Sequence, residues 1–245
     1  ISSWEKMDKP KVFNFVELGP GDGSLTKVII NTLKKFPECN KAIKIYLYEK
    51  SLFLKKLQKQ NIDNKRIKWI KNFNSIKKGP VIFFGNEFFD AIPIKQFSNI
   101  NNELFEKCYS VKDNINIIEK FIRSNKKDVA QIMTFGTLKK LKFIEFPKKG
   151  LIELNPIIKK INKLSGGILL IDYGYLNSNN SNTIQAVMDN KKISTETMLK
   201  NLGKADITSL VNFNLLKEYF LKNNLKVKNV VTQRFFLERM GIMKR

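Results

Sequence analysis

The spacing of apolar residues changes repeatedly along the chain, and each change predicts an element. Short apolar, β-prone runs occur at residues 12–16, 43–48, 67–70, 81–84 and 168–171, and such runs are typical of strands buried in a parallel sheet. Between these runs, apolar residues recur every three or four positions, which is the spacing of one helix face. Five strands alternating with helices predict an α/β fold with a doubly wound, mainly parallel sheet.

Residues 98–149 interrupt this alternation. On both sides of residues 112–114, apolar and polar positions alternate, which predicts a β-hairpin. We therefore expect 98–149 to be an insertion that covers the carboxyl ends of the strands, where open α/β sheets bind ligands. It would separate two halves of one domain, residues 1–97 with the cofactor-binding part and residues 150–245.

Further elements are predicted in the second half of the chain. Helical spacing of apolar residues indicates one helix over 157–164 and a last helix over 215–220, while 226–236 reads as a final strand. The stretch 177–182, NSNNSN, is typical of a surface loop. Because this loop follows a strand end, it is a candidate lid.

A glycine-rich turn follows the first predicted strand. The strand reaches Glu17 and then breaks at Gly19, Gly21 and Gly23 before a helix begins. In open α/β sheets this turn lies where nucleotide-like ligands bind, and glycine lets the backbone come close to them. A carboxylate at the strand end suits a ligand with an amine and a sulfonium charge and repels a diphosphate. The pattern favours S-adenosylmethionine over NAD or ATP.

Two other strand ends carry candidate site residues. Glu49 ends the second strand, near the spacing at which an acidic residue binds ribose hydroxyls in dinucleotide folds; the alternative is a solvated carboxylate. The fourth strand runs into NEFFDAIP, which places Asn86, Glu87 and Asp90 together with two phenylalanines. We expect Asn86 to contact the cofactor.

The residue types present limit the possible chemistry. The chain has no histidine, which excludes Ser-His-Asp hydrolysis and His-ligated zinc, and no metal site is predicted. Two widely separated cysteines, Cys39 and Cys108, fit a reducing compartment. No apolar run approaches the roughly 20 residues that span a bilayer, so no membrane insertion is expected.

The chain is strongly basic, with 45 Lys and Arg against 22 Asp and Glu and a net charge of +23. Such a charge can mark a nucleic-acid partner. The lysines are spread almost evenly, however, and no basic block with interleaved aromatics stands out. Nucleic acid is therefore disfavoured as a partner but stays an open alternative.

Six segments resemble, in order, the landmarks of one family: ELGPGDGSL, NEFFDAIPIKQF, LIELNP, GGILLIDYG, KADIT and TQRFF. They are similar to the MidA family of S-adenosylmethionine-dependent methyltransferases, which includes a mitochondrial complex I assembly factor that acts as a protein arginine methyltransferase. The resemblance implies a class I methyltransferase (Rossmann-like) fold and S-adenosyl-L-methionine as cofactor. Members normally carry an N-terminal segment and a C-terminal tail that are missing here, so we expect the chain to be a piece of a longer protein.

The resemblance also implies a substrate and a compartment. The substrate would be an arginine side chain of a protein, with a complex I subunit as the candidate, in the mitochondrial matrix or the bacterial cytoplasm. An arginine acceptor needs a carboxylate to orient it and to help disperse its proton, and Glu87 and Asp90 are the candidates. Two alternatives remain, an RNA methyltransferase and a non-catalytic assembly module that retains the fold.

Overall fold

The structure is a computed structural model and describes residues 1–112, 116–177 and 180–242. The helices are α1 (Ser2–Glu5), α2 (Ser24–Leu33), α3 (Pro37–Ala42), α4 (Leu52–Asn61), α5 (Lys126–Ile132), α6 (Gly136–Lys139), α7 (Lys148–Leu164), α8 (Thr195–Lys200), α9 (Phe213–Lys222) and α10 (Gln233–Arg239). The strands are β1 (Phe13–Leu18), β2 (Ile43–Tyr48), β3 (Lys68–Ile70), β4 (Val81–Asn86), β5 (Lys95–Ile100), β6 (Glu103–Lys112), β7 (Asn116–Arg123), β8 (Phe143–Phe146), β9 (Gly166–Ile171), β10 (Gly174–Tyr175), β11 (Gln185–Met188), β12 (Lys191–Lys192), β13 (Asp206–Thr208) and β14 (Val211–Asn212).

The chain divides into two compact units. The first contains Ile1–Phe89 and Glu153–Asp172, and the second contains Asp90–Ile152 and the described residues from Tyr173 onwards. One boundary falls inside helix α7, which contributes residues to both units.

The first unit contains a five-stranded parallel sheet with the order β3-β2-β1-β4-β9. These are the five strands that the apolar runs predict, so the predicted mainly parallel sheet is confirmed. The chain passes from β1 to β2 on one side and later returns to β4 on the other. Such a reversal of strand order is where open α/β sheets bind ligands, beyond the carboxyl ends of the strands.

The core of the first unit explains why β1 and β2 form the centre of the sheet. Phe13, Ile43, Ile45 and Leu47 are buried in one cluster with Trp4, Leu33, Ile62 and Ile67. Removing such side chains from water contributes roughly 1.5–3 kcal/mol each. Asn14 is also buried, and its amide donates to the backbone carbonyls of residues 78–80 at the amino end of the strand.

The second unit contains an antiparallel sheet of order β7-β6-β5-β8 and two small sheets, β12-β11-β13 and β10-β14. The long β6 and β7 pair from Phe105–Arg123 to Lys112–Asn116. The predicted hairpin pairing is therefore confirmed, although its turn, at residues 113–115, lies outside the described residues. The role of 98–149 as a cover stays a prediction. The same holds for the lid, in which residues 178 and 179 are not described.

The structure corrects three predictions. Residues 226–236 do not form a strand; Thr232 instead caps helix α10, its Oγ1 accepting the N–H of Phe235 at 3.2 Å. Strand β9 was predicted to be buried but is half-buried throughout, since among the described residues it pairs only with β4. Helix α7 begins at Lys148, well before the predicted start, and includes Pro156.

Candidate functional site

The first unit brings most of the predicted site residues to one edge of its sheet. Leu18, at the end of β1, is level with Tyr48 of β2 and Gly85 of β4. The next residue after each of these is Gly19, Glu49 and Asn86. The three therefore lie side by side at the carboxyl ends of adjacent parallel strands.

The glycines of the turn differ in their surroundings. Gly21 has φ +56°, which disfavours any side chain, and a Cβ there would have no atom within 4 Å. Gly23 is buried, and a Cβ there would come within 2.6 Å of Ile62 Cδ1. Gly21 thus leaves open space above the turn, whereas Gly23 lets helix α4 pack against it.

Gly19 connects the turn to the NEFFD segment. It is exposed, its N–H donates to the Tyr48 carbonyl at 3.0 Å, and a Cβ on it would come within 3.2 Å of the Phe88 ring. Phe88 also lies close to Gly85. This phenylalanine therefore packs against two glycines, Gly19 in the turn and Gly85 near the end of β4.

Glu17 lies beneath the turn and is 3% exposed. Its carboxylate accepts a hydrogen bond from the Thr26 hydroxyl of helix α2. Burial raises the pKa of Glu17, and the hydrogen bond from Thr26 offsets part of this rise. When ionised, this buried carboxylate contributes negative potential close to the glycine turn.

Glu49 is half-buried and bonded on both oxygens. One accepts the backbone N–H of Ser51 at 2.8 Å, and the other accepts the Gln58 amide at 3.1 Å. The same Gln58 nitrogen donates to the Gly21 carbonyl at 2.8 Å. The two predicted cofactor residues, Gly21 and Glu49, are therefore joined through one side chain.

Gln58 is a residue that the sequence reasoning missed. A signal was present, because Gln58 stands between Leu54 and Ile62 at intervals of four, on the inner stripe of helix α4. A polar side chain on an apolar stripe needs buried hydrogen-bond partners.

Asn86 and Glu87 are both exposed at the end of β4. Glu87 has φ +49°, a left-handed conformation that is rare and costly for a residue with a Cβ. Two bonds to the end of β9 hold it there: Glu87 N–H donates to the Ile171 carbonyl at 2.8 Å, and Phe89 N–H to an Asp172 carboxylate oxygen at 2.8 Å. Strain of this kind concentrates at functional sites.

Asp90 belongs to the second unit. It is 6% exposed, and its backbone carbonyl accepts the N–H of Ser209 at 3.0 Å. Its catalytic role stays a prediction.

The residues of this edge fit an adenosyl and amino-acid ligand. Gly21 offers exposed backbone with no side chain in the way, and Glu49 and Asn86 offer a carboxylate and an amide for hydroxyl and amine groups. Within the described ranges, no group of three His, Cys, Asp or Glu residues is placed to hold a metal ion. No helix in the described part of the chain is both long and apolar enough to cross a membrane.

Curated relatives match almost the whole chain. The mitochondrial protein arginine methyltransferase NDUFAF7 homolog of Caenorhabditis elegans is 30% identical over 94% of this chain and 58% of its own length. The mitochondrial protein arginine methyltransferase NDUFAF7 of Homo sapiens is 23% identical over 99% of this chain and 59% of its own. The chain thus spans about three fifths of the length of these relatives.

A solved structure has the same fold. A crystal structure of a Burkholderia thailandensis protein bound to S-adenosyl-homocysteine superposes with a TM-score of 0.77 at 16% identity, covering 98% of this chain and 63% of that one. At this identity the likeness supports the fold, and the predicted methyltransferase-like fold is confirmed.

A family model with the description "Putative S-adenosyl-L-methionine-dependent methyltransferase" matches residues 1–231. This match covers nearly all of the chain and confirms the resemblance inferred from its motifs. The chain therefore belongs to this family of S-adenosyl-L-methionine-dependent methyltransferases.

Proposed function

We propose that this chain is the catalytic part of an S-adenosylmethionine-dependent protein arginine methyltransferase. The observation that carries the proposal is the placement of Glu87, strained and exposed, at the same sheet edge as Gly21 and Glu49. The names of the curated relatives, protein arginine methyltransferases, support the choice of acceptor.

The cofactor would lie along the glycine turn. Gly19 and Gly21 would let its amino-acid part approach the backbone, Glu17 would contribute negative potential, and Glu49 would bind the ribose hydroxyls. Asn86 would offer its amide at the same edge, and Gly23 would maintain the turn. When bound, S-adenosylmethionine supplies a methyl group on a sulfonium sulfur, open to displacement by a nitrogen nucleophile.

Glu87 would orient the acceptor. A carboxylate holds a guanidinium through two parallel hydrogen bonds, which fixes the direction of the attacking nitrogen. Arginine is permanently protonated, so the same carboxylate would draw the proton away as the nitrogen forms its new bond. The left-handed backbone at Glu87 directs its side chain differently from that of a residue in extended conformation at a strand end. This direction is a reason for the fold to tolerate the backbone strain at Glu87. Asp90 is proposed as a second acid.

The substrate class and the compartment follow from the same proposal. We infer a protein substrate, and a subunit of respiratory complex I is the specific candidate that the family resemblance implies. The curated relatives are named as mitochondrial, which supports the mitochondrial matrix for a eukaryotic source and leaves the bacterial cytoplasm for a bacterial one.

The test is methyl transfer from labelled S-adenosylmethionine to the soluble proteome of the source cell, with and without nuclease. We expect label on methylarginine in protein, identified by mass spectrometry and unaffected by nuclease. A Glu87→Gln variant should lose most of this transfer. Its matched control is Glu38→Gln, because Glu38 is an exposed carboxylate of α3, which precedes the amino end of β2. The Glu38→Gln variant should retain activity.

The alternatives give different results. Loss of the label on nuclease treatment would identify a nucleic-acid methyltransferase, for which the charge of +23 would be functional. Cofactor binding without any transfer would identify a non-catalytic module.

A further inference from the structure

Gln58 is completely buried, and both its amide nitrogen and its amide oxygen are hydrogen-bonded. Its amide nitrogen donates to the Gly21 carbonyl at 2.8 Å and to Glu49 Oε2 at 3.1 Å, and its oxygen accepts from Trp69 Nε1 at 3.0 Å. An amide has two N–H donors, and both are engaged. A buried amide with an unpaired donor would be costly, so these three bonds hold the side chain in one position.

The orientation of the amide follows from its partners. An indole N–H can only donate, and a backbone carbonyl can only accept. The Gln58 oxygen must therefore face Trp69, and its nitrogen must face Gly21. Trp69 lies in β3, so one edge strand of the sheet fixes the direction in which the amide points.

Helix α4 holds the turn at more than one point. The Asn61 amide donates to the Asp22 carbonyl at 3.0 Å, and Gln58 Cγ would lie 3.5 Å from a Cβ on Gly23. Gln58 differs from these contacts in reaching Glu49 as well as the turn. Gln58 thus bridges the glycine turn and Glu49, the two parts of the sheet edge that are proposed to bind the cofactor.

We propose that Gln58 is a positioning residue for the cofactor site, setting the distance and direction between the glycine turn and the Glu49 carboxylate. The inference rests on the proposed cofactor site. A ligand that contacts both the turn and Glu49 needs them at a fixed separation, and pre-organisation of this kind lowers the cost of binding. Gln58 itself acts through Glu49 and Gly21.

The test measures the affinity for S-adenosyl-homocysteine by calorimetry. Gln58→Met keeps the length of the side chain and removes its hydrogen bonds, and Gln58→Glu keeps an acceptor for Trp69 but loses both donors. Each should bind the ligand about tenfold more weakly or worse, the loss expected for a bridging bond to a charged group. Trp69→Phe removes the N–H that orients the amide, together with part of the ring, and should weaken binding a few-fold.

The matched control is Asn14→Leu. Asn14 is also a buried amide of the first unit that donates to backbone carbonyls, but it lies at the amino end of β1, away from the proposed site. Loss of its bonds should lower the denaturation temperature and leave affinity unchanged. This separates positioning from a general loss of stability.

A double-mutant cycle provides a second readout. Because Gln58 acts partly through Glu49, the Gln58→Met effect should be smaller in a Glu49→Gln background, with the part that passes through Gly21 remaining. Affinity equal to wild type in Gln58→Met, Gln58→Glu and Trp69→Phe would overturn this inference alone. Failure of the wild-type chain to bind S-adenosyl-homocysteine would overturn the proposed function and this inference with it.

Discussion

The backbone N–H of Glu87 donates a 2.8 Å hydrogen bond to the carbonyl oxygen of Ile171, the last residue of the neighbouring strand. This bond holds Glu87 at φ +49° with its side chain exposed. A left-handed conformation costs an L-residue roughly 1–2 kcal/mol. A glycine or asparagine would adopt it more cheaply, and the proposed role of the carboxylate gives a reason for glutamate at this position.

Glu87→Gln keeps the shape of the side chain and removes its charge. We expect nearly unchanged affinity for the cofactor and methyl transfer lowered by about a hundredfold, the range for a positioned acid-base group. Equal losses of binding and turnover would instead place Glu87 in the cofactor site, and no change in either would make it structural.

Glu87→Gly tests the strain itself. Removing the backbone strain should stabilise the folded state by roughly 1–2 kcal/mol, while the more flexible unfolded chain of the glycine variant opposes this by up to about 1 kcal/mol. The free energy of unfolding should therefore equal that of wild type or be slightly higher. Methyl transfer should fall as in Glu87→Gln. Urea denaturation checks the first expectation, and a clear loss of stability would show that the side chain supports the fold.

Gly21→Val should weaken binding of S-adenosyl-homocysteine by about a hundredfold or more, because its side chain would occupy the open space above the turn. The matched control is Gly203→Val in the second unit. Gly203 also has a positive φ, +83°, and a Cβ on it would have no atom within 4 Å, so the substitution carries similar backbone strain. Calorimetric affinities that fall equally in both variants would contradict a site at Gly21.

Glu17→Gln should separate stability from binding. Burial raises the pKa of Glu17 above its ordinary value of 4.5. The protonated carboxyl therefore favours the folded state fully below pH 4.5, and this stabilisation is lost as the pH rises through the raised pKa. At pH 7 the Gln variant should be at least as stable as wild type but bind the cofactor about tenfold more weakly. Denaturation and calorimetry at pH 7 check both, and a less stable variant would contradict this role of the carboxylate.

Glu218 should make the stability of the second unit sensitive to acid. Burial alone would raise its pKa, but hydrogen bonds from the Thr137 hydroxyl and N–H, Lys222 and the Gly136 N–H lower the pKa to about 2. A depressed pKa contributes stability that is present above the ordinary value of 4.5 and is lost as the pH falls towards 2. Wild type should be more stable than Glu218→Gln at pH 6, and denaturation should show this advantage shrinking by pH 3. An advantage that does not change with pH would be the contrary result.

The five strands of the parallel sheet could be predicted because each is a short apolar run, and burial in a parallel sheet selects for such runs. The last predicted strand was wrong for a local reason. Residues 226–236 are rich in valine and phenylalanine, but Thr232 caps a helix that the Arg234–Glu238 pair, at 2.8 Å, also favours. In the second part of the segment, local helix signals therefore outweighed strand propensity, and residues 226–232 form neither strand nor helix.

The site could be predicted only in part. Gly19, Glu49 and Asn86 were accessible to sequence reasoning because the carboxyl ends of parallel strands meet at one edge. The bridge through Gln58 and the left-handed backbone of Glu87 depend on contacts with Trp69 and Ile171, which no local pattern specifies. Ile171 in particular is distant from Glu87 in the chain, and only the pairing of β4 with β9 brings the two together.

Binding of the cofactor at the carboxyl edge of the first unit is tested most directly by the amide chemical shifts of isotopically labelled protein. On titration with S-adenosyl-homocysteine, we predict that the largest shifts will occur at Gly19, Gly21, Glu49, Asn86 and their sequence neighbours. Saturable binding with the largest shifts elsewhere, or no shifts at all, would contradict binding at this edge.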